Sequence, residues 1–427
     1  MYKELKILEL FAGVGGFRVG LENSNDKLFK TKWSNQWEPS RATQDAFEVY
    51  NYRFPDSKNL NVNIEEITDE EFKCMDADIV VGGFPCQDYS VARSKRNEMG
   101  IEGKKGVLFW EIIRAVRIIE PKFLILENVD RLLKAPSKQR GRDFAIMLAA
   151  FNELGYSVEW RVINAAEYGR SQRRRRVFFF VYRNDTDFAK NIDNQFEVEE
   201  SDVLFDSHLY DEYIFDRGLF ARQFPINKEP VKNRHATYKL SNDIVDISDN
   251  FTGTVWNTGV MRHGRYFTID TAPTLEETPI SLGMILQDES EVPEKYYITD
   301  EKKLEKFKYL RGPKKIERVS LEGHSYIYSE GGMAPTDDIS LPGRTMLTSE
   351  GTINRSTHFL KINNRYRLIT PVEAERLQDF PDDWTKYKKT ADGQIVEVSD
   401  RMRMFFMGNA LVTEIVKRIG DEIQNIL

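Results

Sequence analysis

From the N-terminus to about Tyr182, short apolar runs alternate with stretches in which apolar residues recur at helical spacing. The runs at 6–10, 33–37, 79–83, 123–127, 157–164 and 177–182 predict strands of a parallel sheet covered on both faces. Between them, 41–50, 107–119 and 142–154 carry the helical period. Strand and helix in alternation predict an α/β unit, doubly wound and mostly parallel.

Beyond Arg183 the pattern changes. Segments such as TGTVWNTGVMRHGRYFTID and GGMAPTDDISLPGRTMLTSEGT are polar, dotted with aromatics and broken by glycine and proline. They predict a second, smaller, irregular and β-rich domain over about 185–360. Helical spacing returns at 370–377, where Pro371 suits a first helical position. It returns again at 411–426, an amphipathic helix expected to dock on the first domain. The resulting division is 1–184 with 405–427 as one domain, and 185–404, hinge included, as the other.

At 427 residues the chain exceeds the usual size of one compact unit, which agrees with two domains. The opening MYKELKILEL lacks the layout of a signal peptide, and the apolar run at 177–182 is far too short to span a bilayer. A cytoplasmic protein with no membrane contact is expected. Its two cysteines, Cys74 and Cys86, and five histidines exclude a disulfide framework and make a structural metal improbable. Cys74 reads as a small, inert, buried hydrophobe. A net charge of -7 argues against a coat of nucleic acid but leaves room for a local basic face, and five arginines fall within 170–176.

Chemistry gathers at strand ends. The first strand runs into ELFAGVGGFRVGLE, where Gly13, Gly15 and Gly16 permit close approach of a ligand to the backbone, as nucleotide-like cofactors require. A tight turn without a ligand explains the glycines equally well, and Arg18 breaks the dinucleotide spacing. Gln36, Trp37 and Glu38 follow about twenty residues later, where ribose hydroxyls are held in such folds. Trp37 could stack on a purine or simply pack, and Asn63 and Ile64 could line an adenine edge. Cys86, in GGFPCQDYS, would sit at the mouth of its strand, followed by a glycine- and lysine-rich stretch that reads as a mobile loop. FLILENV ends in Glu127 and Asn128, and burial of that carboxylate would raise its pKa. In YGRSQRRRRVFFFV, a two-residue period puts Gln172, Arg174 and Arg176 on one face.

With these residues in place, the chain resembles the DNA cytosine carbon-5 methyltransferase family along nearly its whole length. FAGVGGF resembles that family's S-adenosylmethionine loop, GFPCQ its nucleophile motif, ENV its base-binding motif and QRRRR its Gln-x-Arg-x-Arg motif. RLITPVEAERLQDFP and GNALV resemble its closing motifs, with the variable region in the place of the target-recognition domain.

The resemblance implies catalytic Cys86, Glu127, Arg174 and Arg176. It implies a cofactor site of Phe11, Gly13, Gly15, Gly16, Gln36, Trp37, Glu38, Asn63, Ile64, Pro85 and Asn409. The DNA is expected at Gln87, Ser90, Asn128, Gln172, Arg344 and Thr348, the last two in 340–352, a stretch that reads equally well as part of the DNA-reading surface or as an ordinary exposed loop pair. Cys86 would add to carbon 6 of a flipped-out cytosine, Glu127 would hold ring nitrogen 3 and the exocyclic amine, and the arginines would position the base and its phosphate. Gln36 stands where the family usually has an acidic residue, and Asn63 where an aspartate often contacts the adenine amine.

The implied protein is a prokaryotic monomer acting on double-stranded DNA, with a cognate restriction endonuclease acting separately. A tRNA cytosine-5 methyltransferase is the nearest alternative, disfavoured by the long variable region. A nicotinamide-dependent oxidoreductase would explain only the first glycine turn.

Overall fold

The computed structural model describes residues 4–85, 108–196, 213–320 and 323–427. Its apolar runs become one sheet. β1 (Leu5–Leu10), β2 (Phe29–Asn35), β3 (Lys58–Leu60), β4 (Ile79–Gly83) and β5 (Phe123–Val129) lie parallel in the order β3-β2-β1-β4-β5. β6 (Tyr156–Asn164) and β7 (Arg175–Arg183) follow, with β7 antiparallel between β5 and β6. The chain runs outward from β1 on one side and resumes at β4 on the other. That reversal opens a crevice beyond the carboxyl ends of β1 and β4.

Alternate residues of each strand feed two apolar clusters. Leu8, Val80, Leu124, Leu126 and Phe179 face helices Leu108–Ile119 and Arg142–Glu153. Ile7, Val81, Ile125 and Phe180 face helices Gly16–Asn25 and Thr413–Ile426. The last helix therefore docks on the first part of the chain. Gly20 permits that approach, because a Cβ there would lie 2.5 Å from Val416. Burying each such large apolar side chain is worth roughly 2 kcal/mol.

Four expectations need correction. The second strand ends at Asn35, so Trp37 lies in the loop beyond it. The following helix spans Asp45–Arg53, not 41–50, because the Gln44 side chain binds the backbone of Glu38 and Arg41 and closes 38–44 into a loop. Cys74 is exposed, since Phe72 and Met75 take the inward positions around that helix end.

The fourth concerns the boundary at 185. β8 (His235–Lys239), β9 (Thr258–Arg262) and β10 (Arg265–Ile269) extend the same sheet to ten strands, in the order β6-β9-β10-β8. Gly259 pairs with Trp160, and any side chain there would strike the indole at 2.2 Å.

The rest of the second part is built differently. It holds three two-stranded hairpins, Lys314–Val319 with Ser325–Glu330, Phe359–Ile362 with Arg365–Leu368, and Tyr387–Lys389 with Ile395–Glu397, and helices Glu301–Arg311 and Pro371–Leu377. Thr370 and Glu373 form a reciprocal cap at the latter, with Pro371 in the first turn as expected. A third apolar cluster joins Val14, Tyr50 and Phe54 to Met346, Leu377 and Phe406, which seats this region against the glycine turn. Among the described residues, no helix is long and apolar enough to cross a membrane.

Candidate active site

β1 ends in a turn where Phe11, Gly13 and Gly15 all take positive φ, at 54°, 55° and 91°. Gly15 also leaves no room for a side chain, since a Cβ would meet the Phe54 ring at 2.5 Å. The Gly13 N–H donates to Gln36 Oε1 at 2.8 Å, so β2's end clamps the turn. Beneath it, Glu9 is fully buried and one of its oxygens accepts from the Tyr50 hydroxyl at 2.8 Å. Burial pushes its carboxyl up to about 7, against the pull of Tyr50 and Arg18.

A cavity of about 770 Å³ runs from this turn to the ends of β4 and β5. It is bounded opposite by Thr348, Phe405 and Asn409. Of the expected cofactor residues, Phe11, Gly13, Gly16, Gln36, Trp37, Glu38, Asn63, Ile64, Pro85 and Asn409 all line it, while Gly15 supports the turn from behind. Trp37 is 40% exposed there, free of the core packing considered as its other role. Glu38 keeps a buried carboxylate oxygen without a hydrogen-bond partner, and burial pushes its carboxyl up despite Arg41. Asn63 turns part of its side chain inward to cap the short helix Ile64–Glu66.

At the other end, β4 and β5 pair so that Gly83 stands beside Glu127. A Cβ at Gly83 would lie 3.2 Å from Glu127 Oε2, so the glycine clears space for the carboxylate. Arg176 approaches Glu127 Oε1 at 2.8 Å. Burial pushes the Glu127 carboxyl up, and Arg176 and Arg174 draw it part of the way back. The Asn128 side chain donates to the Phe84 carbonyl at 3.0 Å, fixing the backbone that leads into Pro85. Cys86, Gln87 and Ser90 lie outside the described residues.

The expected shared face of Gln172, Arg174 and Arg176 holds in outline but not in role. Gln172 is fully buried, donating to the Leu377 carbonyl at 2.9 Å and accepting from the Met346 N–H at 2.9 Å. It fastens the region of 340–352 to the sheet. Arg174 lines the cavity, yet its terminal nitrogens donate to the carbonyls of Met346 and Gly408. Arg344 is engaged by Asp337 and by the carbonyls of Ser356 and Thr357. Thr348 does reach the cavity.

Sequence reasoning missed Arg41 and Phe405, whose guanidinium and ring stack at 4.1 Å on the cavity rim. They lie far apart in sequence, and no local pattern joins them. Glu9 carried a signal that was not used, an acidic residue inside an apolar strand run.

Comparisons with known proteins agree with this geometry. The family model for C-5 cytosine-specific DNA methylase matches residues 5–425. The chain is 53% identical over 423 residues to the Type II methyltransferase M.Sau3AI of Staphylococcus aureus, covering 99% of this chain and 96% of the relative. It is 33% identical over 181 residues to the Type II methyltransferase M.HhaI of Haemophilus parahaemolyticus, covering 42% of this chain and 50% of the relative. Among solved structures, the S. pombe Dnmt2 methyltransferase superposes with a TM-score of 0.58 over 99% of both chains, at 13% identity, a likeness of fold alone. The chain belongs to the C-5 cytosine-specific DNA methylase family.

Proposed function

We propose that the chain methylates carbon 5 of a cytosine flipped out of a specific sequence in duplex DNA, with Cys86 as nucleophile and Glu127 as the group that holds the base. The observation that carries this reading is the ion pair of Glu127 and Arg176 beside Gly83, three residues before Cys86 and on the wall of the cavity. A carboxyl whose pKa is raised by burial can keep a proton and present it to ring nitrogen 3. As the Cys86 thiolate adds to carbon 6, that proton offsets the charge developing on the ring, and Arg176 steadies the carboxylate left behind. Arg174 acts one step back, holding Met346 and Gly408 against the site.

S-adenosylmethionine fits the other end of the cavity. The open backbone at Gly13, the unpartnered buried oxygen of Glu38 and the exposed ring of Trp37 suit, in turn, its amino-acid end, its ribose hydroxyls and its adenine. Because Gln36 is committed to the turn, the ribose falls to Glu38. When bound, the cofactor supplies a sulfonium methyl group.

On this reading the sheet, including β8 to β10, is the catalytic part, and 281–398 reads the DNA. The protein works as a monomer in a prokaryotic cytosol, and a cognate restriction endonuclease acts separately on the same sequence. Incubation with labelled S-adenosylmethionine and mixed-sequence duplex DNA should place label on cytosine carbon 5, and Cys86→Ser should abolish it. No transfer by the wild type, or full transfer by Cys86→Ser, would overturn the assignment.

A further inference from the structure

A second cavity, of about 510 Å³, opens beside the first and shares Arg41, Thr348 and Phe405 with it as a common wall. Its other lining includes Ser349, Thr352 and Arg401, and no residue lining it is acidic. The carboxylates closest in sequence are occupied elsewhere. Glu350 is buried against His358 at 3.1 Å, and Asp400 is held by Lys295 and by the Tyr296 hydroxyl at 2.6 Å. Arg401 is exposed, and among the described residues it forms no ion pair with a carboxylate. Arg41 meets Glu38 at 3.9 Å and the Met402 sulfur at 3.5 Å, and its stacking on Phe405 fixes the plane of its guanidinium. Two guanidinium groups and three hydroxyls, with no carboxylate on the lining, make an environment for an anionic oxygen group.

We propose that this second cavity holds a backbone phosphate of the DNA strand that carries the flipped cytosine, with Arg401 as its principal positioning residue. The inference rests on the reading of the first cavity as the cytosine site. A flipped nucleotide stays joined to its neighbours through phosphates, so a base seated in the first cavity brings phosphodiesters to that cavity's edge. Arg41, Thr348 and Phe405 form part of that edge. Holding the phosphate there fixes the strand while the base turns. It needs no base contact, so it acts alike on every target sequence.

The carboxylate of S-adenosylmethionine is the other anion within reach, and the test separates the two. Methylation of mixed-sequence plasmid DNA by Arg401→Gln is followed across a salt series, and binding of labelled S-adenosylmethionine is measured by equilibrium dialysis. The Michaelis constant for DNA should rise about tenfold with kcat changed far less, and the slope of log kcat/KM against log salt should fall by about one. Arg401→Lys should restore most of that slope, which a merely structural role would not. Cofactor affinity should match the wild type. An unchanged DNA Michaelis constant and slope would overturn the assignment, and so would a loss of cofactor affinity. Activity of Arg401→Gln at saturating DNA shows that the cytosine site stands whichever way the phosphate result falls, whereas an inactive wild type would fail the earlier reading instead.

Discussion

Along the ten-stranded sheet, neighbouring residues of a strand enter opposite apolar clusters, whereas in 281–398 the hairpins and helices are tied by buried ion pairs. Arg311 and Arg344 converge on Asp337 at 2.6 and 2.5 Å. Arg367 meets Glu373 at 2.8 Å and Glu289 at 3.0 Å, and Arg403, from the helix Asp400–Asn409 just beyond, meets Glu375 at 2.9 Å. These side chains are almost wholly enclosed, apart from Glu289 and Arg344. An apolar cluster loses only part of its contacts when one member is trimmed. A buried pair that loses one member strands a charge, which costs about 3–5 kcal/mol. The hairpin region is therefore held by fewer but less forgiving links, suited to fixing loops that a small apolar core could not hold still.

The largest expected effect separates chemistry from both kinds of scaffold. Glu127→Gln keeps the shape of the side chain but removes the acid and its pairing with Arg176. Single-turnover methylation should slow by about a thousandfold, as for loss of a group that stabilises transition-state charge. Cofactor affinity should stay near wild type. A rate within tenfold of wild type would show that Glu127 does not assist the reaction.

Next in size is a direct trial of the two regions. Asp337→Asn strands the guanidinium groups of Arg311 and Arg344, and urea unfolding should report a loss of about 4 kcal/mol. Ile125→Val, which trims one methyl group from a fully buried sheet position, should cost about 1 kcal/mol. Equal losses would erase the distinction. With the DNA-reading role assigned to 281–398, Asp337→Asn should also weaken DNA binding while S-adenosylmethionine binding persists.

The same contrast explains what could be read from the sequence. Strands such as β4 and β7 announce themselves because burial on both faces demands a continuous apolar run, and IVV and VFFFVY supply it. The cavity's residues were legible because they follow strand ends directly, as Glu127 follows FLIL. Ion pairs carry no such local mark. Nothing near Arg344 announces that Asp337 will claim it, and nothing near Gln172 announces Leu377 and Met346. Gln172 was assigned to DNA through the resemblance and Arg344 through its residue type, neither of which shows these partners. That β8 to β10 join the first sheet was hidden for another reason. Their polar and glycine-rich sequence hides that Gly259 is small because Trp160 lies against it.

Glu9 breaks the pattern within the sheet itself, and its titration sharpens the comparison. It is a carboxyl set among apolar strand residues, facing Tyr50, Arg18 and, farther off, Glu22, with no full ion pair. Its folded pKa of about 7 lies above the ordinary value of 4.5. Below about pH 4.5 the group is protonated in both folded and unfolded chains and costs nothing. Between there and pH 7 the unfolded chain gives up the proton while the folded chain keeps it, so stability falls as pH rises. Above 7 the loss is complete, roughly 3 kcal/mol at most. Glu9→Gln abolishes this titration and keeps a group that can accept from Tyr50. The difference in unfolding free energy between variant and wild type, measured in urea at a series of pH values, should therefore grow in the variant's favour from pH 4.5 to 7.5 and then level. If it stayed flat, Glu9 would be ionised in the folded chain as in the unfolded one, and the sheet would tolerate an unpaired buried charge that the hairpin region avoids by pairing.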